Sequence, residues 1–277
     1  MIRPGVADRF EEDTEAAEIP LLGGDVTDGV VRVGGTVRRP AGPQSAAVRA
    51  LLHHLEGAGF DGAPRYLGRD ARGRDVLTYV PGVTPPRPLP PYAAGEAALT
   101  GVARLLRRFH DAVAGFTLPD GAAFDTFLAS NTDAEPELVG HCDLRPDNVV
   151  FRDGAPVAMI DFDLARPTTR LFDVATTLRY WAPIADPADR EPAHRTTAVG
   201  PRLARFCAAY GLDAAGRANL LPTLRTRLDR SYAAMRARAG ARGGAWSRMW
   251  TAGAGDHLLR AQDWLDLNWD TLERHLT

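Results

Sequence analysis

The chain has 277 residues and a formal charge of −2 from 33 basic and 35 acidic side chains, and every one of those basic residues is arginine. Hydrophobic residues make up 45% and charged residues 25%, ordinary globular composition whose near-neutral balance argues against a coat for nucleic acid or anionic membrane. Two cysteines, Cys142 and Cys207, are too few for a disulfide scaffold, and no apolar run approaches the roughly 20 residues of a membrane span.

The first twenty residues carry acids where an export signal needs an apolar stretch, so a cytoplasmic location is expected. Length alone suggests about two lobes. After Leu21–Gly24, Val30–Val33 and Thr36–Arg39 flank Gly34-Gly35 and read as a small antiparallel meander. Ser45 is expected to cap a helix with Val48, Leu51, Leu52 and Leu55 on one stripe, ending near Gly57 and Gly59. A second hairpin spans Pro64–Leu67 and Asp75–Val80.

Six prolines between Pro81 and Tyr92 mark a stiff connection. The expected organisation is a sheet-rich lobe over 1–80, a hinge over 81–92 and a helical lobe over 93–277. Helices are predicted at Glu96–Val113, Leu171–Trp181, about Ala198–Tyr210, about Ala218–Arg238 and Asp256–Leu276, with a mobile loop at Gly240–Ala245. One stretch breaks the helical pattern. Val149–Phe151 and Val157–Ile160 flank Asp153-Gly154 and read as a β-hairpin among helices.

The chemistry lies around that hairpin, in His141-Cys142-Asp143-Leu144-Arg145-Pro146-Asp147-Asn148 and Ile160-Asp161-Phe162-Asp163. Asp143 can accept or orient the proton of an attacking hydroxyl. Asn148 offers a carbonyl oxygen, a hard neutral ligand suited to Mg²⁺. A hairpin turning near Gly154 brings Asp161 beside Asn148, so both can hold one ion. Phosphoryl transfer asks a protein mainly for positioning and charge neutralisation, which such a set supplies.

These residues, H141-x-D143-L-x-P-x-N148 and I160-D161-F-D163, resemble the aminoglycoside phosphotransferase and choline-kinase-like family. Gly23-Gly24, the Tyr79–Gly82 hinge and Phe109-His110-Asp111 support the likeness, which covers roughly 20–180. The resemblance implies an α+β, bilobal protein-kinase-like fold, ATP or GTP as donor and Mg²⁺ as cofactor. It further implies Asp143 as base, Asn148 and Asp161 as metal ligands, Gly23 and Gly24 near the nucleotide and Val80 at the adenine hinge. The acceptor would be a small-molecule hydroxyl, as in antibiotic resistance by phosphorylation, with no nucleic acid or membrane partner. His141 and Asp173 read as bracing residues, and Asp163 as a metal helper or a brace for a turn.

The chain departs from that pattern in one respect. The family's strand lysine, which holds the nucleotide phosphates, is missing, as is its helical glutamate. Alignment puts Arg38 at the lysine position and Arg39 one residue out of register, and arginine can bind phosphate through its planar fork. A solvated strand face fits both arginines equally well. The lost clamp keeps a second reading open, a catalytically silent binding or immunity protein. For the acceptor, Asp263, Asp266 and Asp270 fall at i, i+3, i+7 beside Trp264 and Trp269, suiting a cation or simply a solvated face. Arg225, Arg227, Arg230, Arg236 and Arg238 would instead suit an acidic or peptide acceptor.

Overall fold

The computed structural model describes residues 17–21, 29–125, 135–242 and 244–277. Gly23 and Gly24 lie outside these described residues. A five-stranded antiparallel sheet forms the small lobe, from β1 (Ile19–Pro20), β2 (Val31–Val33), β3 (Thr36–Arg39), β4 (Tyr66–Arg69) and β5 (Asp75–Thr78), in the order β1-β2-β3-β5-β4. Helix α1 (Ser45–Gly57) packs beside it and buries Ala47, Val48, Leu51, Leu52 and Leu55. That is the predicted stripe, and each buried leucine stabilises the lobe by about 2 kcal/mol. Ser45 is not the cap. Gln44 occupies that position without a side-chain hydrogen bond, and the Ser45 hydroxyl accepts from the Gly42 amide at 2.9 Å, closing the preceding turn instead.

The chain leaves β5 along the proline-rich segment. Val83 pairs with Phe151 through two backbone hydrogen bonds of 2.9 and 2.8 Å, so the connection lies on the second lobe. Gly82 makes this possible. Its φ is +145°, and a Cβ there would stand 2.5 Å from the Phe151 carbonyl oxygen.

The second lobe is mostly helical. After a single turn, α2 (Pro91–Ala94), comes α3 (Glu96–Ala112), whose buried stripe from Ala98 to His110 packs on α5 (Val199–Tyr210) and on the hairpin. The hairpin is β7 (Val149–Arg152) and β8 (Ala155–Met159), closed by Asp153 and Gly154 at positive φ, a two-residue turn rather than a longer one. A short ladder joins β6 (Leu138–Gly140) to β9 (Arg166–Thr168), and the sequence pattern hid it because three-residue strands show no alternation. Helix α4 (Arg170–Trp181), capped by Thr169, packs on α7 (Leu220–Arg242), with α6 (Ala214–Ala218) before it.

Two C-terminal expectations are corrected. Helix begins again at Gly244 as α8 (Gly244–Thr251), so the described residues of 240–245 are helical rather than a loop. The helix predicted over Asp256–Leu276 is two, α9 (Ala254–Leu267) and α10 (Trp269–Glu273). Asn268 divides them, its side-chain amide donating to the Trp264 carbonyl at 2.8 Å. No helix among the described residues is long and apolar enough to cross a membrane.

Candidate active site

The loop between β6 and β7 carries His141, Asp143 and Asn148, and its shape is fixed from below. Asp173, fully buried on α4, accepts hydrogen bonds from the amides of His141 (2.9 Å) and Cys142 (2.8 Å) and from His110 Nε2 (3.0 Å). Gly140 lets it approach, since a Cβ there would meet the Asp173 carboxylate at 2.8 Å. Burial pushes Asp173 upward, but the His110 hydrogen bond and charge and the loop amides outweigh it and hold the carboxyl below its ordinary value. His141 donates from Nε2 to the Ile160 carbonyl (3.0 Å), and its Nδ1 accepts from the Asp143 amide (3.3 Å). Burial keeps it neutral, with a lowered pKa. Both residues brace the loop, as the sequence suggested. Cys142 has φ +60° and Asp161 +63°, left-handed values that cost non-glycine residues about 1–3 kcal/mol each and cluster at functional sites.

Asp143 is half-buried at the loop's tip. The Asn148 amide nitrogen donates to its backbone oxygen at 2.8 Å and its carboxylate at 3.0 Å. That commits the nitrogen to Asp143 and leaves the Asn148 carbonyl oxygen for a cation. Burial drives Asp143 up to about 6, against the opposing charges of Arg145 and Arg227 and with the repulsion of Asp161. At neutral pH it is a carboxylate of raised basicity, suited to take a hydroxyl proton. The backbone oxygen of Asn148 accepts from the Ile160 amide at 2.9 Å, so the mouth of the hairpin holds Asn148 next to Asp161.

Asp161 Oδ1 is buried without a hydrogen-bond partner, although Arg39 Nη1 stands 3.6 Å away. An orphaned carboxylate oxygen beside a free amide carbonyl fits Mg²⁺, which takes one or two protein oxygens and completes its shell with water and phosphate. Among the described residues no group of three or more His, Cys, Asp or Glu forms a protein-only metal cage.

Strand β3 separates its two arginines. Arg39 turns to the loop after β8, ion-paired with Asp163 and facing Asp161. Arg38 turns to the opposite face, buried, 4.0 Å from Asp70. The sequence alignment favoured Arg38; the alternation of the strand gives the cleft to Arg39. The helical glutamate has no counterpart, and Arg49, over the Tyr66 ring, lines the same small hollow as Arg39 and Asp163. Val80, half-buried, lies between β5 and the Val83–Phe151 pair.

The acidic trio is not brought to this site. Asp263, Asp266 and Asp270 are exposed, the last in a separate helix, and Asp266 pairs with Arg225 of α7 at 3.0 Å. Arg225 and Arg227 are two residues apart on α7 and so point to nearly opposite sides. Sequence reasoning missed Arg166 and Arg179, which with Arg227 gather behind Asp143; the run Asp163-Leu164-Ala165-Arg166 was the available signal.

Comparisons with known proteins agree with this geometry. Residues 122–217 match the model of the phosphotransferase enzyme family. Over 213 residues the chain is 34% identical to the trifolitoxin immunity protein of Rhizobium leguminosarum bv. trifolii, covering 76% of this chain and 80% of that protein. The chain belongs to the phosphotransferase enzyme family. Its fold is shared with a choline/ethanolamine kinase family protein from Mesorhizobium loti (TM-score 0.64, 14% identity, 98% of each chain). It is also similar to aminoglycoside 2'-phosphotransferase-IIIa, solved with GDP (TM-score 0.54, 16% identity, 98% of this chain and 96% of that one). This phosphotransferase-family chain therefore has the bilobal kinase-like α+β fold, and the matched segment contains Asp143, Asn148 and Asp161.

Proposed function

We propose that the chain is a Mg-dependent kinase that moves the γ-phosphoryl group of ATP or GTP to a hydroxyl of a small molecule. The observation that carries this reading is the convergence of Asp143, Asn148 and Asp161 at one hairpin mouth, faced by Arg39 from the sheet. The acceptor oxygen forms a bond to the γ-phosphorus while the bond from that phosphorus to the β-bridging oxygen breaks. The hydroxyl proton passes to Asp143, and the nucleoside diphosphate leaves with the bridging electrons. Asn148 and Asp161 would hold Mg²⁺, which when bound neutralises charge on the donor's phosphates. Arg39 would grip those phosphates from above, and Val80 would meet the base at the hinge. The relation to an aminoglycoside phosphotransferase supports a small-molecule acceptor and nucleotide use.

Incubation with Mg-ATP or Mg-GTP and a panel of hydroxyl acceptors, for wild type and Asp143→Asn, tests the reading. Transfer by wild type, with a loss of about a thousandfold or more in kcat and unchanged nucleotide affinity in the variant, is expected. Turnover retained in the variant would move the base elsewhere.

A second reading is a nucleotide-dependent binding protein conferring immunity without catalysis. It is favoured by Arg49 standing where a clamp carboxylate is needed and by the relation to an immunity protein. Nucleotide binding with no transfer to any acceptor would select it.

A further inference from the structure

On the helical side of Asp143 three guanidinium groups gather. Arg166 of β9 stands opposite Gly140 in the ladder that leads into the catalytic loop. Arg227 reaches from α7 to α4, its Nε donating to Thr176 Oγ1 at 2.9 Å. Arg179 lies one turn along α4 from Thr176 and leans on Tyr180, 5.2 Å from its ring. The next residue, Trp181, ties that helix to the loop by donating from its indole nitrogen to the Leu144 carbonyl at 2.8 Å.

Three other buried arginines of the fold have defined partners. Arg238 pairs with Asp125, while Arg190 and Arg202 donate to backbone carbonyls. The trio is held more sparsely. Arg166 is 4% exposed and, among the described residues, bonds only the Leu164 carbonyl, leaving its Nε buried without a partner. Among the described residues neither Arg179 nor Arg227 is ion-paired, and both are half-buried. Three like charges gathered beside a single carboxylate, Asp143, leave an excess of positive charge that a bound anion would offset.

We propose that the acceptor bears an anionic group, a carboxylate or a phosphate, which docks on Arg166, Arg179 and Arg227 while its hydroxyl faces Asp143. The placing of the hydroxyl at Asp143 rests on the phosphotransfer reading; the anion site stands on its own geometry. Burial and the adjacent charges of Arg179 and Arg166 push Arg227 down to about 10, the strain that a bound anion would relieve. Planar guanidinium groups suit both oxyanions, each offering paired donors. The same cluster disfavours a polycationic acceptor, and Asp266 pairs with Arg225 on the far side of α7.

The test is equilibrium binding to the full chain with Mg²⁺ and a non-hydrolysable ATP analogue, by calorimetry or ligand-observed NMR. The probes are N-acetylserine against its methyl ester, glycerol phosphate against glycerol, and ethanolamine and kanamycin as cations. At least one anion should bind about tenfold or more tightly than its neutral partner, and the winning pair tells carboxylate from phosphate. Arg179→Met and Arg227→Met, chosen because neither side chain is fully buried, should erase that preference while melting and nucleotide affinity hold. Equal binding of acid and ester, better binding of cations, no binding of any probe, or a preference that survives both replacements would overturn the proposal. Phosphate transfer is followed separately. Anion preference without transfer keeps this site and removes the kinase reading, whereas transfer to neutral or cationic alcohols without anion preference does the reverse.

Discussion

Arg39 on β3 is ion-paired with Asp163 in the loop that follows β8, a bridge from the sheet to the helical lobe, whereas its neighbour Arg38 points away towards Asp70. The two side chains therefore carry different loads. Burial alone would lower the Arg39 pKa, but the charges of Asp163 and Asp161 outweigh it and raise it, so the group stays a cation at the cleft. Arg39→Ala should weaken nucleotide binding about tenfold or more with little change in melting temperature. Arg38→Ala should leave nucleotide affinity alone and cost about 1–3 kcal/mol of stability, by disturbing a buried charge network. Calorimetric titration and thermal denaturation of both variants separate the roles, and the opposite pattern would return the clamp to Arg38.

Asp161 supplies the carboxylate proposed for Mg²⁺. Asp161→Asn preserves shape, and asparagine tolerates the left-handed backbone at φ +63°. Nucleotide affinity measured with Mg²⁺ and with a chelator should differ strongly in wild type and become nearly equal in the variant. A variant that keeps the full Mg²⁺ response would place the ion on other ligands.

Asp173 holds the catalytic loop through two backbone amides and His110. Replacing it with alanine leaves three buried donors unanswered, at a cost of about 3–5 kcal/mol. The loss should appear in urea denaturation, with transfer activity falling alongside, because Asp143 loses its position. A melting temperature within a degree or so of wild type would mean that the loop is held by something else.

Acid should destabilise the fold in two stages. Burial lowers His141 below its ordinary 6.5 and His194 to about 4, so each binds a proton more readily once unfolded. Stability is then fully present above 6.5 and declines as pH falls towards 4. For His194 alone the shift corresponds to about 3 kcal/mol at most. Below that range Asp173 adds to the loss, since its folded pKa lies beneath the ordinary 3.8 and protonation favours the unfolded chain. Thermal melts across pH should show this slope, and His194→Gln should flatten the upper stage. A melting temperature constant from 6.5 to 4 would contradict the assignment.

Much of this was readable in the chain because its carriers are local. The Leu51, Leu52 and Leu55 stripe specifies α1, and Asp153-Gly154 specifies the turn that sets Asn148 beside Asp161. His141 reads as a brace from its place in the loop, and Asp173 as a helix-start or loop-bracing acid from its place in Leu171-Phe172-Asp173-Val174. What escaped depends on long-range contact. The choice between Arg38 and Arg39 turns on which strand face meets Asp163, more than a hundred residues on. Likewise Arg166, Arg179 and Arg227 come from three elements, so no window of sequence contains their cluster. The acidic trio falls on one face only in an uninterrupted helix, and Asn268 ends that helix; the exposure of all three acids fits the solvated face.

The pairing of Val83 with Phe151 fastens the interlobe strap to the very strand that Asn148 precedes. Any tilting of the sheet must then be absorbed upstream, around Tyr79 to Pro81. Such a tilt would carry Arg39 while the strap and Asn148 travel as one piece. Under the proposed kinase reading, opening would loosen Arg39's hold on the donor's phosphates without shifting the hairpin mouth, and so would decouple release of the spent nucleotide from upkeep of the reacting geometry.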